Sequence, residues 1–132
     1  MKYLIWLFTL ALLSSCDEHF EEKEMYGYYT PIDYKNNFDT LQLQPEGLYY
    51  RKVYDRNKKL LLEMNGKWKF ENNHTLKLET FYHNLDDDLV KFPESVKDTT
   101  SGVTTSFESR NNTIQFCVGY YNDEKNCYGK VK

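Results

Sequence analysis

From residue 26 onward, apolar and polar side chains alternate in short runs, and Asn, Asp, Gly or Pro interrupts the alternation at intervals of roughly eight to twelve residues. A period of two is strand spacing, because successive side chains on an extended chain point to opposite faces. "YGYYTPI" is the first such run, with Pro31 marking an edge or an end. "DTLQLQ" alternates cleanly, Leu41 and Leu43 to one side and Thr40, Gln42 and Gln44 to the other. "PEG" is a turn, since Pro45 presets one dihedral and Gly47 supplies a positive φ. "LYYRKVY", the polar turn "DRNK" and "KLLLEM" follow. Asn65-Gly66 is a hairpin dipeptide and predicts a turn into "KWKFE", with Trp68 and Phe70 on one face. "NNH" then turns the chain into "TLKLETFY". The stretch from Tyr82 to Gly102 is poor in alternation and reads as a long loop holding at most one edge strand. Regularity resumes in "VTTSFES", with Val103, Thr105 and Phe107 on one side. Arg110-Asn111-Asn112 turns into "TIQFCVGYY", and "NDEK" turns into "NCYGKVK".

Eight or nine short strands joined mainly by hairpins predict an all-β antiparallel meander closing into a small barrel, which hides its strand edges. Its expected core is Leu41, Leu43, Trp68, Phe70, Leu76, Leu78, Phe107, Ile114 and Phe116. Strands this short, lined by rings this large, should fill the barrel and leave no enclosed pocket for an acyl chain.

The pattern before residue 26 is of another kind. Lys2 leads an apolar run from Leu4 to Leu13, and small residues close it. That is the layout of a secretory signal peptide, and the run is too short to cross a bilayer as a helix. Leu13-Ser14-Ser15-Cys16 resembles the lipobox of bacterial lipoproteins. The resemblance implies cleavage before Cys16 and acylation of that cysteine, which would supply more than the single chain that stable anchoring exceeds. Residues 1–15 are then the signal, 16–25 a solvated acidic tether ("CDEHFEEKEM") and 26–132 the folded domain. Asp17 resembles an inner-membrane retention signal, and the acidic cluster resembles a surface-export signal; the location expected is the bacterial cell envelope, at the outer membrane on its periplasmic or surface face. The partner this implies first is the membrane itself, through the N-terminal lipid.

Removing residues 1–15 from the 132 leaves 117, enough for one domain and too few for two. The whole chain carries a net charge of −3, and loss of Lys2 makes the mature chain one unit more acidic. With no basic stripe, nucleic acid is not an expected partner. Twelve Tyr and eight Phe make aromatics the dominant apolar type, which suits strands. Gly27-Tyr28-Tyr29, "TLQLQPEGLYYR" and Gly66-Lys67-Trp68 ahead of "TLKLETF" together resemble the opening half of small bacterial lipocalin-like lipoproteins, over about residues 26 to 82. Tyr29 stands where that pattern has its first tryptophan, and no later lipocalin motif follows. The resemblance therefore implies a calycin-style barrel.

Few residues are arranged for chemistry. In "TIQFCVG", Ile114, Phe116 and Val118 share one face, so Cys117 points to the other. If the hairpin turns about Asn122, Cys117 lies opposite Cys127 and a disulfide follows in an oxidising compartment; a slip of one residue leaves two free thiols. His83 sits in "YHNLDDD", beside Asp86, Asp87 and Asp88, but no glycine is placed for a calcium-loop turn, so a solvated acidic loop is expected and no metal. No nucleophile–base unit, zinc motif or phosphate loop occurs, so no catalytic residue and no cofactor are expected. Each tyrosine pair (Tyr28-Tyr29, Tyr49-Tyr50, Tyr120-Tyr121) sends one ring inward and one outward. Outward rings either shield neighbouring strands or form a platform for a sugar or a protein. Tyr49 and Tyr121, with Asp86 to Asp88, are the candidate binding surface. The function expected is a non-catalytic, lipid-anchored envelope binding protein for a small molecule, glycan or envelope protein. The alternative is an inhibitor or immunity-type partner of a toxin or hydrolase.

Overall fold

The structure, a computed structural model, describes residues 18–33, 37–83, 88–94, 101–119 and 125–132, without the side chains of Asn37, Asp88 and Val90. The described residues form nine strands: β1 (Gly27–Pro31), β2 (Asn37–Gln44), β3 (Leu48–Asp55), β4 (Leu60–Glu71), β5 (Thr75–Leu78), β6 (Val103–Ser106), β7 (Glu108–Arg110), β8 (Thr113–Val118) and β9 (Asn126–Lys130). Every pairing is antiparallel, and the order is β6-β5-β4-β3-β2-β1-β9-β8-β7.

The two terminal strands of that order are one stretch of chain bent at Phe107. Its first half pairs with β5 and its second half with β8. Residues Val103 to Arg110 therefore carry the sheet almost back onto itself, and the result is a nearly closed antiparallel barrel, consistent with a lipocalin-like one. At the bend the Phe107 N–H donates to the His74 carbonyl (2.7 Å), and the Thr105 hydroxyl donates to the Cys117 carbonyl across the remaining seam (2.7 Å).

The turns follow local chemistry. Gly47 has φ +73°, and a Cβ there would stand 2.9 Å from the Trp68 carbonyl oxygen, so the "PEG" turn needs its glycine. Asn111 and Asn112 both take positive φ (52° and 59°) in a two-residue connection between β7 and β8. That is the conformation a type I′ hairpin requires and asparagine tolerates.

Asn65-Gly66 is not a turn. Both residues lie inside β4, which runs twelve residues and pairs first with β3 and then with β5. Gly66 stands opposite Tyr49, and a Cβ on it would fall 2.6 Å from the Tyr49 ring. The glycine makes room for a ring laid over it, where the sequence suggested a reversal of the chain. The described part of the stretch after Tyr82 holds one helical turn, α2 (Asp88–Lys91), and no strand. Leu89 of that helix packs with Val53 and Leu62.

Residues 18–25 keep their charged side chains exposed but rest against the barrel. A helical turn, α1 (Glu22–Met25), starts with the Glu24 carboxylate accepting from the Glu21 N–H (2.7 Å), and Met25 is fully buried. Phe20 packs edge-on against Phe107 and Tyr26 against Trp68. Enough apolar area is scattered among the acidic residues here to dock the segment on the barrel.

All nine residues expected in the core belong to one cluster, with Phe70 and Ile114 partly buried against it. The filling is aromatic. Tyr49, Phe81, Tyr128, Phe116 and Phe107 follow one another in ring contact, with centroids 6.0, 6.4, 5.2 and 5.7 Å apart, and Tyr29 packs on both Phe107 and Phe116.

Candidate functional site

Two places hold unusual residues: the upper interior of the barrel and its outer wall. Asp39 on β2, Arg51 on β3 and Tyr128 on β9 meet inside, each no more than 1% exposed. Strand parity puts them there. Asp39 shares a face with Leu41 and Leu43, and Arg51 shares one with Tyr49 and Val53. Arg51 donates from Nε to Asp39 Oδ1 (3.0 Å), from Nη2 to Asp39 Oδ2 (2.7 Å) and to the Tyr128 hydroxyl (3.1 Å), and from Nη1 to the Tyr82 carbonyl. Tyr128 in turn donates to Asp39 Oδ2 (2.5 Å). The Phe81 ring covers the guanidinium, whose carbon lies 4.3 Å from its centroid.

The charges in this cluster are matched. Burial works against the Arg51 cation, but Asp39, with smaller help from Tyr128 and Tyr49, outweighs it and holds the guanidinium charged. Burial pushes the Tyr128 hydroxyl well above the ordinary tyrosine range, against the pull of Arg51. His83, half-buried against Phe81, is held below its usual range by burial first and by the Arg51 charge second, which favours the neutral imidazole. An arginine so fully bonded and so closely covered has no free edge for an incoming carboxylate.

The outer wall is the more open surface. Tyr28 on β1, Gln42 on β2, Tyr50 on β3 and Asn65 on β4 form one cross-strand row. Tyr28 and Tyr50 are 51% and 44% exposed. Gln44 donates its amide to the Gln42 side-chain oxygen (3.2 Å), fixing the amide between the two rings. The next row on this face ends in an ion pair between Lys52 and Glu63 (3.2 Å), and the one beyond it includes exposed Phe38 and Leu60. A shallow depression of about 530 Å³ on this wall is lined by Tyr28, Gln42, Tyr50, Lys52, Tyr54 and Glu63 among others.

Tyr49, expected on the surface, is fully buried, and its neighbour Tyr50 is the outward ring. The Tyr49 hydroxyl is shared between the carbonyls of Glu79 and Thr80, at 3.0 Å each, and its ring uses the space over Gly66. Cys16, Asp86, Asp87 and Tyr121 lie outside the described residues, and Asp88 opens α2. His83 is half-buried with its ring against Phe81, and the loop residues that follow it, 84–87, lie outside the described residues. Cys117 and Cys127 stand directly opposite on β8 and β9 and form a disulfide.

The Asp39–Arg51–Tyr128 cluster was missed by reading hydrophobic alternation alone. The signal available was Asp39, a carboxylate at the parity of Leu41 and Leu43. Nothing local marks Tyr128, which joins the cluster from 77 residues beyond Arg51. Compared with known proteins, the chain matches no family model, no curated protein and no solved structure.

Proposed function

We propose that this is a lipid-anchored cell-envelope protein without catalytic activity that binds its partner on the outer wall of the barrel. The observation that carries the reading is the contrast between the two surfaces. The interior is occupied by stacked rings and a charge-matched polar cluster. The wall of β1 to β4 instead presents two exposed tyrosines around a fixed amide. Rings with hydroxyl tips and amides between them suit a sugar face or a polar protein surface. The anchor rests on the lipobox resemblance at Cys16.

A pull-down of the lipidated protein from its own envelope, compared with Tyr28→Ala and Tyr50→Ala, tests the site. A partner or glycan retained by the native chain and lost in the double variant is the expected result. Equal retention would move the site elsewhere. Recovery of a single basic hydrolase or toxin would favour the inhibitor alternative.

A further inference from the structure

The docked N-terminal segment fixes more than its own position. Glu18 accepts a hydrogen bond from the Ser109 N–H through Oε2 (2.7 Å), and the Phe20 N–H donates to the Asn73 carbonyl (2.9 Å). The chain therefore enters the barrel between two turns, Asn72-Asn73-His74 and Arg110-Asn111-Asn112. Phe20 against Phe107, buried Met25 and Tyr26 against Trp68 hold the rest of the segment in place. The Lys130 ammonium also donates to the Glu24 carbonyl, clasping α1 to β9.

Cys16 is only two residues before Glu18. Two residues of extended chain span at most about 7 Å. A free tether of ten residues would reach roughly 35 Å and let the domain tumble. We propose that the barrel end bearing these two turns is a bilayer-facing surface, held close to the lipid headgroups with the strands directed away from the membrane. This rests on the reading of Cys16 as the lipidated residue.

The chemistry of that end fits a headgroup layer. All six residues of the two turns are exposed, and they comprise four asparagines, a histidine and an arginine, with no carboxylate among them. Asparagine amides and the Arg110 guanidinium are donors for phosphate and glycerol oxygens. Carboxylates beside the turns are engaged: Glu18 accepts from the Ser109 N–H, Glu71 pairs with Lys77 (2.7 Å) and Glu108 accepts from the Gln115 amide. In this orientation the wall carrying Tyr28 and Tyr50 stands sideways to the membrane, open to a partner in the same compartment.

The test uses the full-length lipidated protein in phosphatidylethanolamine–phosphatidylglycerol vesicles doped with a headgroup-nitroxide lipid. Fluorophores are placed singly at Asn111→Cys, in the proposed facing turn, and at Lys58→Cys, in the β3–β4 turn at the opposite end. The label at 111 should be quenched several-fold more than the label at 58. A flexible Gly-Ser insert between Asp17 and Glu18 should abolish that difference while leaving the barrel folded. Palmitate incorporation, measured in parallel, separates the two ideas. Equal quenching at both positions of palmitate-labelled protein overturns the orientation alone. A chain that takes up no palmitate, and binds vesicles no better than Cys16→Ser, overturns the anchor and the orientation with it.

Discussion

The guanidinium of Arg51 uses all three of its nitrogens in hydrogen bonds within a space that water does not reach. Removing one partner of such a pair leaves an uncompensated buried charge, which typically costs about 3–5 kcal/mol. Asp39→Ala should therefore lower unfolding free energy by about that amount. Replacing both charges, as in Asp39→Leu with Arg51→Met, should recover much of the loss, because an apolar pair of similar volume carries no desolvation penalty. Urea denaturation of the three proteins measures this, and a double variant less stable than Asp39→Ala would show that the ion pair itself stabilises the barrel. His83 gives a second test at this scale. Its folded-state pKa lies below the ordinary 6.5, so below that pH the unfolded chain binds a proton that the folded chain resists. The sign is fixed: this contribution is present above about pH 6.5 and is lost as pH falls toward the depressed folded value. The denaturation midpoint should drop between pH 7.5 and 5.5, and His83→Gln should flatten the drop. An identical pH slope in the variant would assign the effect to the carboxylates instead.

Among elements, β4 and the β8–β9 hairpin decide the most. Gly66 lets β4 run straight past the Tyr49 ring, so Gly66→Ala should force that ring or the strand to move, at about 1–3 kcal/mol. Tyr49→Ala empties the space, and in that background the Gly66→Ala penalty should shrink; additive losses in a double-mutant cycle would mean the two residues do not compete for it. The Cys117–Cys127 disulfide closes a loop of sequence separation 10. The chain-entropy relation assigns such a loop roughly 2–3 kcal/mol, so Cys117→Ser with Cys127→Ser should lower the midpoint accordingly. An unchanged midpoint would show the hairpin to be equally constrained when reduced.

For the whole molecule, the packing of the interior and the exposure of the wall lead to opposite expectations for ligands. Trp68 is buried among the core residues, and its indole N–H donates to the Gln44 carbonyl (2.9 Å). Trp68→Ala should cost about 3–5 kcal/mol, as loss of a buried large aromatic does; a loss under about 1 kcal/mol would contradict its place in the core. The delipidated domain should show no saturable micromolar uptake of fluorescent fatty acids, since rings and the Asp39–Arg51–Tyr128 cluster fill the space such a chain would need. Binding competed by unlabelled lipid would overturn that and make a lipid carrier the better reading.

Strand alternation by itself determined the all-β meander and most of its core, because period-two patterning and short turns are local properties of the chain; of the two cysteine registers left open, the structure has the paired one. The same local reading placed the Asn72 and Asn111 turns where the barrel has them. Tertiary structure decided which tyrosine of the pair at 49 and 50 faces inward. Either parity of β3 includes both a tyrosine and a cation, and only the space above Gly66, on another strand, separates them. It also converted Asn65-Gly66 from a turn into strand and laid the acidic segment against the barrel. In each case the deciding contact lies far along the chain, from Tyr49 to Gly66 and from Phe20 to Phe107, where local propensity has no information. The buried cluster follows the same rule: parity with Leu41 and Leu43 marks Asp39 as inward, but only tertiary packing turns Arg51 in with Tyr49, and only closure of the barrel brings Tyr128 to them.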